Sequence, residues 1–287
     1  MMRGRRTLRH AVGRVVPQAV GVNDPPLVEQ AVGLDPSQHG GHVWRVPDSL
    51  AFAATVTAVP LALTEVLRAA AFLPLAIRAG DVPRPMVVLS SGGGGRSRSL
   101  IQGGRIAGRM VPAILRFYPF VPMLGASGWF LGGDLAGGWM RPGPPDQDWH
   151  PIFGSDGQLS SAAAERVQAL TTWQTGRAAA LNAARGLAQA GLLCPAPVLN
   201  DPNWLSVDPD RLMALRGQDL DRLNRDGALA LGYALLTGAC QMPRLLDQGR
   251  TAPPTAVADG AASGFIAAFA KAQGDAVGPG FPLKGPL

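Results

Sequence analysis

Apolar residues in the first half of the chain occur in short runs that proline and glycine interrupt. Residues 51–59 mix small and β-branched side chains and stop at Pro60, and residues 85–89 form a brief apolar run before a glycine-rich loop. Both patterns are typical of short strands. Short helices are predicted at 65–72 and at 110–117. The first half of the chain is therefore predicted to be rich in β-structure.

One long helix is the strongest element that the sequence predicts. Between residues 161 and 190, apolar side chains recur at spacings of three and four, which places them in one stripe along a helix. Ser160 or Ser161 can cap its first turn, and Gly191 suits the left-handed position directly after its last turn. The second half of the chain is therefore predicted to begin with a capped amphipathic helix.

Two further helices are predicted downstream. Asp208 followed by Pro209 is typical of a helix start, and this helix is expected to continue past Gly217 to Gly227. Residues 228–241 carry no charge and are too short to span a bilayer, so we expect a buried helix there. The predicted fold class is α+β, with a β-rich N-terminal half packed against a helical C-terminal half. The predicted organisation is an irregular basic N-terminal arm at 1–41, a folded domain at 42–250 and a Gly/Pro/Ala-rich C-terminal tail at 251–287.

The formal net charge of +6 is concentrated at the N-terminus. Five arginines and no acidic residue lie in the first fifteen positions, so the remaining 272 residues carry a net charge of only +1. This distribution argues against a broad basic face on the folded part, and nucleic-acid binding is not expected. A basic arm of this kind is typical of a solvated terminus.

The chain lacks the sequence features of disulfide-rich, zinc-module and membrane proteins. Cys194 and Cys240 are its two cysteines, too few for a disulfide scaffold or a four-cysteine zinc module, and both are expected to be buried. The longest apolar run, 50–77, contains charged residues and prolines, which are costly in a bilayer. No sustained apolar segment follows the arginine-rich start, as an export signal would need. We therefore expect a soluble, cytoplasmic protein without a membrane span.

Three short motifs resemble catalytic or metal-binding signatures without completing them. Residues 103–110 have two glycines at the spacing of a phosphate-binding loop, but arginine and methionine stand where that loop has lysine and serine or threonine. Residues 125–129 approach the nucleophile turn of a serine hydrolase and lack its last glycine. His39 and His42 could supply two metal ligands, yet they are predicted to lie in a glycine-rich turn. We therefore predict no metal site and no cofactor.

Aromatic residues cluster between positions 117 and 153, close to several arginines. Aromatic rings beside guanidinium groups can form a stacking or cation–π pocket. The alternative interpretation is that these rings are core residues and loop anchors. We predict one recess in this region of the chain. Its candidate ligand-binding residues are Arg109, Arg116, Tyr118, Trp129, Asp134 and His150.

Residues 108–120, 152–157 and 205–215 carry motifs in the order known from one bacterial family. The first ends in Arg116-Phe117-Tyr118-Pro119-Phe120, and the long predicted helix follows the second. They resemble the "YVPAYLRRYPF", "LFDEDG…LGLLEP" and "VVDxxxLxxL" segments of the SapC-like proteins, which are named after an S-layer-associated product. The resemblance covers about residues 43–250. It departs from the family pattern at the core motif, where one arginine is replaced by phenylalanine.

The resemblance implies a function related to peptides or amino acids, but it does not identify a reaction. Genes of SapC-like proteins commonly lie beside those of flavin-dependent tryptophan halogenases and TonB-type receptors. The leading hypothesis is an accessory or binding protein that recognises a peptide-like or aromatic ligand, or a partner protein. The alternative is a tailoring enzyme of peptide or natural-product metabolism, with its active site near the six candidate residues. Nucleic-acid binding through the basic arm is a third hypothesis.

Overall fold

The computed structural model has the predicted α+β fold, with β-sheets in the N-terminal half and helices in the C-terminal half. It describes residues 18–19, 28, 31–91, 99–107, 109–125, 128–196, 199 and 201–246. The predicted C-terminal tail lies outside the described residues, as does most of the predicted basic arm. Among the described residues, no helix is both long enough and apolar enough to cross a membrane.

The strands of the described chain pair in antiparallel fashion. They are β1 (Gln18–Ala19), β2 (Ala31–Gly33), β3 (His42–Trp44), β4 (Ala58–Pro60), β5 (Leu75–Arg78), β6 (Arg84–Val88), β7 (Ile101–Gln102), β8 (Arg105–Ile106), β9 (Phe120–Gly125), β10 (Gly128–Asp134), β11 (Met140–Pro142), β12 (His150–Pro151), β13 (Leu193–Pro195) and β14 (Trp204–Val207). In the described residues they form sheets ordered β1-β9-β10-β2, β11-β3-β12 and β13-β14-β5-β6-β4, and the hairpin β7-β8.

Helices alternate with strands early in the chain and dominate it after residue 160. They are α1 (Pro36–His39), α2 (Val66–Phe72), α3 (Ala113–Phe117), α4 (Ser161–Gln189), α5 (Pro209–Met213), α6 (Gly217–Arg225), α7 (Ala228–Ala239) and α8 (Pro243–Leu246). Short 3-10 turns lie at Ala51–Ala53 and Leu63–Glu65. The helices predicted at 65–72, 110–117, 161–190 and 228–241 are therefore confirmed to within a few residues.

Regular structure begins before the predicted start of the domain. Both β2 and α1 lie within residues 1–41, which were predicted to be irregular, and Ala31 of β2 pairs with Asp134 of β10. The side chain of Asp35 caps α1 by accepting a hydrogen bond from the backbone N–H of Ser37. Aspartate followed by proline is the same start signal that was recognised further along the chain. The domain boundaries themselves stay a prediction.

The prediction of one continuous strand at 51–59 was wrong. Ala51–Ala53 form a 3-10 turn, and only Ala58–Pro60 pairs with a neighbouring strand, β6. Small apolar side chains fit a turn as well as a strand. This run also lacks the strict alternation of apolar and polar residues that would decide for a strand.

Both predicted caps of α4 are confirmed. The side chain of Ser160 accepts a hydrogen bond from a backbone N–H in the first turn, at 3.2 Å. At the other end Gly191 has a φ of 66°, and its N–H donates to the carbonyl of Ala188 while the N–H of Leu192 donates to that of Leu187. These two bonds form the Schellman motif, which needs a left-handed residue that glycine adopts without strain.

The helix start at Asp208 is also confirmed, but the helix does not run on to Gly227. The Asp208 side chain accepts hydrogen bonds from two backbone N–H groups of α5. The next helix, α6, begins at Gly217, whose φ of 56° lies in the left-handed region. A residue in that conformation cannot continue a right-handed helix, so the predicted single helix is two.

Of the three apolar clusters in the described residues, the two with the most members bear on the site. The larger lies between the sheet β13-β14-β5-β6-β4 and the helices α2, α4 and α7. Neither cysteine belongs to a cluster: Cys194 is half-buried and Cys240 is exposed, so their predicted burial was wrong. The smaller group, which we call the Trp44 cluster, joins the three-stranded sheet to β9 and the start of α4. Its buried members are Trp44, Phe120, Met140, Ile152, Phe153 and Ala163.

Glu65 is a carboxylate buried within the larger cluster. Its Oε1 accepts hydrogen bonds from the backbone N–H of Ala62 at 3.2 Å and from Nε1 of Trp173 at 3.0 Å. Its Oε2 accepts one from the N–H of Ala113 at 2.9 Å. Among the described residues no cation lies within 4.0 Å of it. Glu65 therefore joins three segments through hydrogen bonds alone: the turn before α2, the start of α3 and the middle of α4.

We predict that Glu65→Ala lowers the free energy of unfolding by about 3 kcal/mol or more, because three buried donors lose their acceptor. Glu65→Gln keeps an acceptor oxygen and is expected to fall between the wild type and Glu65→Ala. Glu165→Ala, at an exposed position of α4, is the control. Urea unfolding followed by circular dichroism measures the difference. Equal stability of Glu65→Ala and Glu165→Ala would contradict the proposed role.

Candidate functional site

The sheet β11-β3-β12 has two chemically different faces. In its register Trp44 of β3 lies opposite Met140 of β11 and His150 of β12. Trp44 and Met140 are buried in the Trp44 cluster, so this face looks inward. Successive side chains of a strand point to opposite faces of the sheet. The residues next to Trp44, Met140 and His150 in sequence therefore belong to the second face.

Four side chains on that other face form an alternating series of indole and guanidinium groups, which we call the Trp–Arg face: Trp139, Arg45, Trp149 and Arg141. The Cζ atom of Arg45 lies 4.6 Å from the ring centre of Trp139 and 5.1 Å from that of Trp149. The Cζ atom of Arg141 lies 4.3 Å from the ring centre of Trp149. These distances are within the range of cation–π attraction. Both indoles are half-buried and Arg141 is exposed.

The guanidinium groups of the Trp–Arg face have no hydrogen-bond acceptor among the described residues. A guanidinium group stacks through its flat surface and donates hydrogen bonds through its edge, so stacking leaves its donors available. In the described part of the chain, neither Arg45 nor Arg141 has a carboxylate within 4.0 Å. The buried Nε of Arg45 has no hydrogen-bond acceptor there either. The face therefore combines aromatic surface with unsatisfied positive charge.

Asp146 shapes the turn that leads into this face. Its Oδ1 accepts hydrogen bonds from the backbone N–H groups of Asp148 and Trp149, both at 2.9 Å. These bonds, followed by the charges of Arg141 and His150, lower the pKa of Asp146. The Asp146 carboxylate is therefore ionised at neutral pH, and its hydrogen bonds fix the backbone at Trp149. Its single negative charge offsets only part of the positive charge of Arg45 and Arg141.

On the inward face, Trp44 lies among rings and a guanidinium group. Its ring centre is 4.8 Å from that of Phe120 and 5.6 Å from that of His150, and the Cζ of Arg166 lies 5.6 Å from it. Trp44 is only 3% exposed. Its buried Nε1 has no hydrogen-bond acceptor among the described residues. An indole N–H in this position is an unsatisfied donor next to a positive charge.

Tyr118, directly after α3, and Asp134, at the end of β10, form a buried hydrogen-bonded pair. The hydroxyl of Tyr118 donates to Oδ2 of Asp134 at 2.6 Å, and Oδ1 accepts from the N–H groups of Ala136 and Gly137, each at 3.0 Å. Phe52 stacks on the Tyr118 ring with a centroid distance of 3.9 Å. Burial first, and then Asp134, raise the pKa of Tyr118 far above its usual value. The hydroxyl therefore stays protonated and serves as a hydrogen-bond donor.

The six residues predicted from the sequence are only partly brought together. Tyr118 and Asp134 contact each other in the interior, and His150 packs its exposed ring against Trp44. Arg116 is exposed, and its backbone carbonyl accepts a hydrogen bond from Arg166. These four positions surround the Trp44 cluster or lie in its neighbourhood.

The other two predicted residues lie elsewhere in the fold. Trp129 is exposed and pairs with Leu124 in the β9-β10 hairpin. Trp129 lies five positions before Asp134 in β10, which corresponds to roughly 17 Å along a strand. Arg109 is exposed on the segment before α3. The ligand-binding role of the six residues stays a prediction.

Sequence reasoning missed Arg45 and Arg141 and did not single out Trp139 and Trp149 from the other aromatic residues. Trp139 and Arg141 flank Met140, and this two-residue spacing indicates a common face of a strand. Arg45 lies about a hundred positions before these residues in the sequence. Only the pairing of β3 with β11 and β12 brings it between the two indoles, and no local pattern signals that pairing.

His39 and His42 are held by regular structure and not by the glycine-rich turn that was predicted. His39 ends α1, His42 begins β3, and their ring centres lie 5.1 Å apart in an edge-on arrangement. The Nδ1 atom of His39 accepts a hydrogen bond from the backbone N–H of Asp35 at 3.0 Å. In the described residues, no group of three or more histidines, cysteines or acidic residues is placed to hold a metal ion.

The SapC family model matches residues 34–245, a range that contains the Trp–Arg face, the Tyr118–Asp134 pair and Glu65. No curated protein and no solved structure matches the chain. The match agrees with the resemblance that the sequence motifs indicated and extends it by α1.

We predict that Tyr118→Phe destabilises the protein by about 1–3 kcal/mol, because the buried Asp134 carboxylate loses its only side-chain donor among the described residues. Tyr233→Phe is a matched control, since Tyr233 is the second of the two tyrosines and is exposed. Its effect is expected to stay within about 0.5 kcal/mol. Urea unfolding compares the two variants, and equal effects would contradict the structural role of the Tyr118 hydroxyl.

We also predict that acid destabilises the fold through His42. Burial first, and then the charge of His39, lower the pKa of His42 below its usual value of 6.5. The unfolded chain therefore binds the proton more readily, and stability falls as the pH drops from about 7 through 6.5 and below. His42→Gln should reduce this loss. Melting temperatures between pH 8 and pH 5 measure the loss of stability. If His42→Gln and the wild type lose stability identically over this range, His42 does not cause the acid destabilisation.

Proposed function

The chain belongs to the SapC family, and from that premise we propose that it is an accessory binding protein. Its Trp–Arg face holds a peptide-like ligand, or an extended segment of a partner protein, that carries aromatic and acidic side chains. The cytoplasmic location expected from the sequence stays a prediction.

The observation that carries this proposal is the position of Arg45 against two indole rings. A guanidinium group held at 4.6 Å and 5.1 Å from Trp139 and Trp149 is fixed by stacking before any ligand arrives. A fixed arginine loses less conformational freedom when its edge binds a carboxylate than a free one does. The half-buried indoles offer aromatic surface beside that edge. One acidic and one aromatic side chain of a ligand would be bound by neighbouring groups.

The rigid support behind the face favours binding as its role. The Trp44 cluster packs against the inner side of the same sheet, and β3 is the central strand with a partner on each side. A surface held in this way does not need to be ordered by the ligand, which favours affinity. Tryptophan and arginine are also the residue types in which binding energy at protein interfaces is concentrated.

The enzyme alternative draws its support from the family context. The Tyr118–Asp134 pair resembles an acid–base pair in its residue types alone. Its tyrosine has a pKa shifted away from the range useful at neutral pH, and each oxygen of its carboxylate already accepts a hydrogen bond. These features support a structural role for the pair, and the binding hypothesis therefore fits the described residues better.

We predict that a synthetic peptide that alternates phenylalanine and glutamate binds the full-length protein, as measured by isothermal titration calorimetry. Trp149→Ala and Arg45→Ala should each weaken binding at least tenfold, which corresponds to about 1.4 kcal/mol. Trp129→Ala removes an exposed indole outside the face and should bind normally. A peptide that alternates phenylalanine and lysine should not bind.

Far-UV circular dichroism and the melting temperature verify that each variant is folded. If Trp129→Ala weakens binding and Trp149→Ala does not, the binding surface lies at the hairpin and the proposal for the Trp–Arg face is wrong. If the acidic and basic peptides bind equally, the guanidinium groups do not select the ligand.

A further inference from the structure

Arg166, in the first turns of α4, reaches the segment of Arg116 at the end of α3. Nη1 of Arg166 donates a hydrogen bond of 2.7 Å to the backbone carbonyl of Arg116. This bond brings the half-buried guanidinium group of Arg166 to the segment that ends α3. Within the described residues, neither side chain has a carboxylate within 4.0 Å. Positive charge is therefore concentrated here, and the described residues do not neutralise it.

The electrostatics of Arg166 agree with this geometry. Burial first, and then the positive charge of Arg116, lower the pKa of Arg166. Both effects oppose the charged form, so the charge is held at a cost to the fold. A bound anion would remove that cost, because it would restore the favourable charge interaction that the described residues do not supply.

A second observation at the same place is an unsatisfied donor. The guanidinium group of Arg166 lies over Trp44, 5.6 Å from its ring centre, and the buried Nε1 of Trp44 has no acceptor among the described residues. Buried polar groups are normally hydrogen-bonded, so an indole N–H without an acceptor needs an explanation. The imidazole of His150 lies on the same ring, at 5.6 Å. The polar groups identified around this indole are therefore the guanidinium group of Arg166 and the imidazole of His150.

We propose that Arg116 and Arg166, beside Trp44, form a binding site for an oxyanion, a carboxylate or a phosphate group. Arginine is suited to both because its planar edge donates two parallel hydrogen bonds to either group. The site lies on the inward face of the sheet, since Trp44 and Arg45 are consecutive residues of alternating direction. It is separate from the Trp–Arg face and does not depend on the function proposed for that face.

Melting temperatures of the full-length protein in sodium phosphate, sodium succinate and sodium chloride test this site, at pH 7 and equal ionic strength. The wild type should melt about 5–10 °C higher in a hundredfold excess of a binding anion over its Kd than in chloride. A rise in phosphate alone assigns the site to phosphate groups, and a rise in succinate alone assigns it to carboxylates. If neither anion raises the melting temperature above that in chloride, the proposal is wrong.

Two variants of Arg116 and one control locate the effect. Arg116→Ala should abolish the rise caused by the anion. Arg116→Glu should abolish it as well and should melt higher than Arg116→Ala in chloride, because its carboxylate neutralises Arg166. Arg185→Ala, which removes an exposed arginine from the same helix, should keep the rise. If Arg116→Ala and Arg185→Ala respond to the anion alike, the site is not at Arg116.

The peptide titration separates this site from the proposed function. Arg116→Ala should bind the acidic aromatic peptide as the wild type does, since Arg116 lies outside the Trp–Arg face. A variant that loses both the anion effect and the peptide affinity while remaining folded would show that the two surfaces are one site, and the separate oxyanion site would then be rejected.

Discussion

The fold depends on one acidic side chain that the larger apolar cluster encloses. A carboxylate inside a protein is costly unless hydrogen bonds satisfy it, and Glu65 is satisfied by one donor from each of three chain segments. Because each donor is needed, the turn before α2, the start of α3 and the middle of α4 must keep their relative positions. The N-terminal and C-terminal halves are joined in this way, and α3 then leads directly into Tyr118 and Phe120.

The same principle operates a few residues later and supports the candidate site. Asp134 is also buried, and the hydroxyl of Tyr118 holds its carboxylate at the end of β10. Phe120, two residues beyond Tyr118, contacts Trp44 in the smaller cluster. Two buried acids therefore position the apolar layer on which the three-stranded sheet rests. The Trp–Arg face lies on the opposite side of that sheet.

Local signals in the sequence predicted the fold class, the family and the ends of the main helices. Ser160, Gly191 and Asp208 could be assigned because capping depends on residues within a few positions of each other. The site is different, because Arg45 joins Trp139 and Trp149 only after distant strands have paired. The run 51–59 failed for another reason: alanine and valine fit a turn and a strand alike, and tertiary packing decides between them.

The alternation along β3 has a consequence for how this segment can change. Trp44 fills the interior and Arg45, its immediate neighbour, belongs to the outer surface. Insertion or deletion of one residue before them would exchange their directions, sending an indole into water and a charged group into a dry, tightly packed space. The strand can therefore vary by substitution, while changes of length must be absorbed in the loops on either side of it.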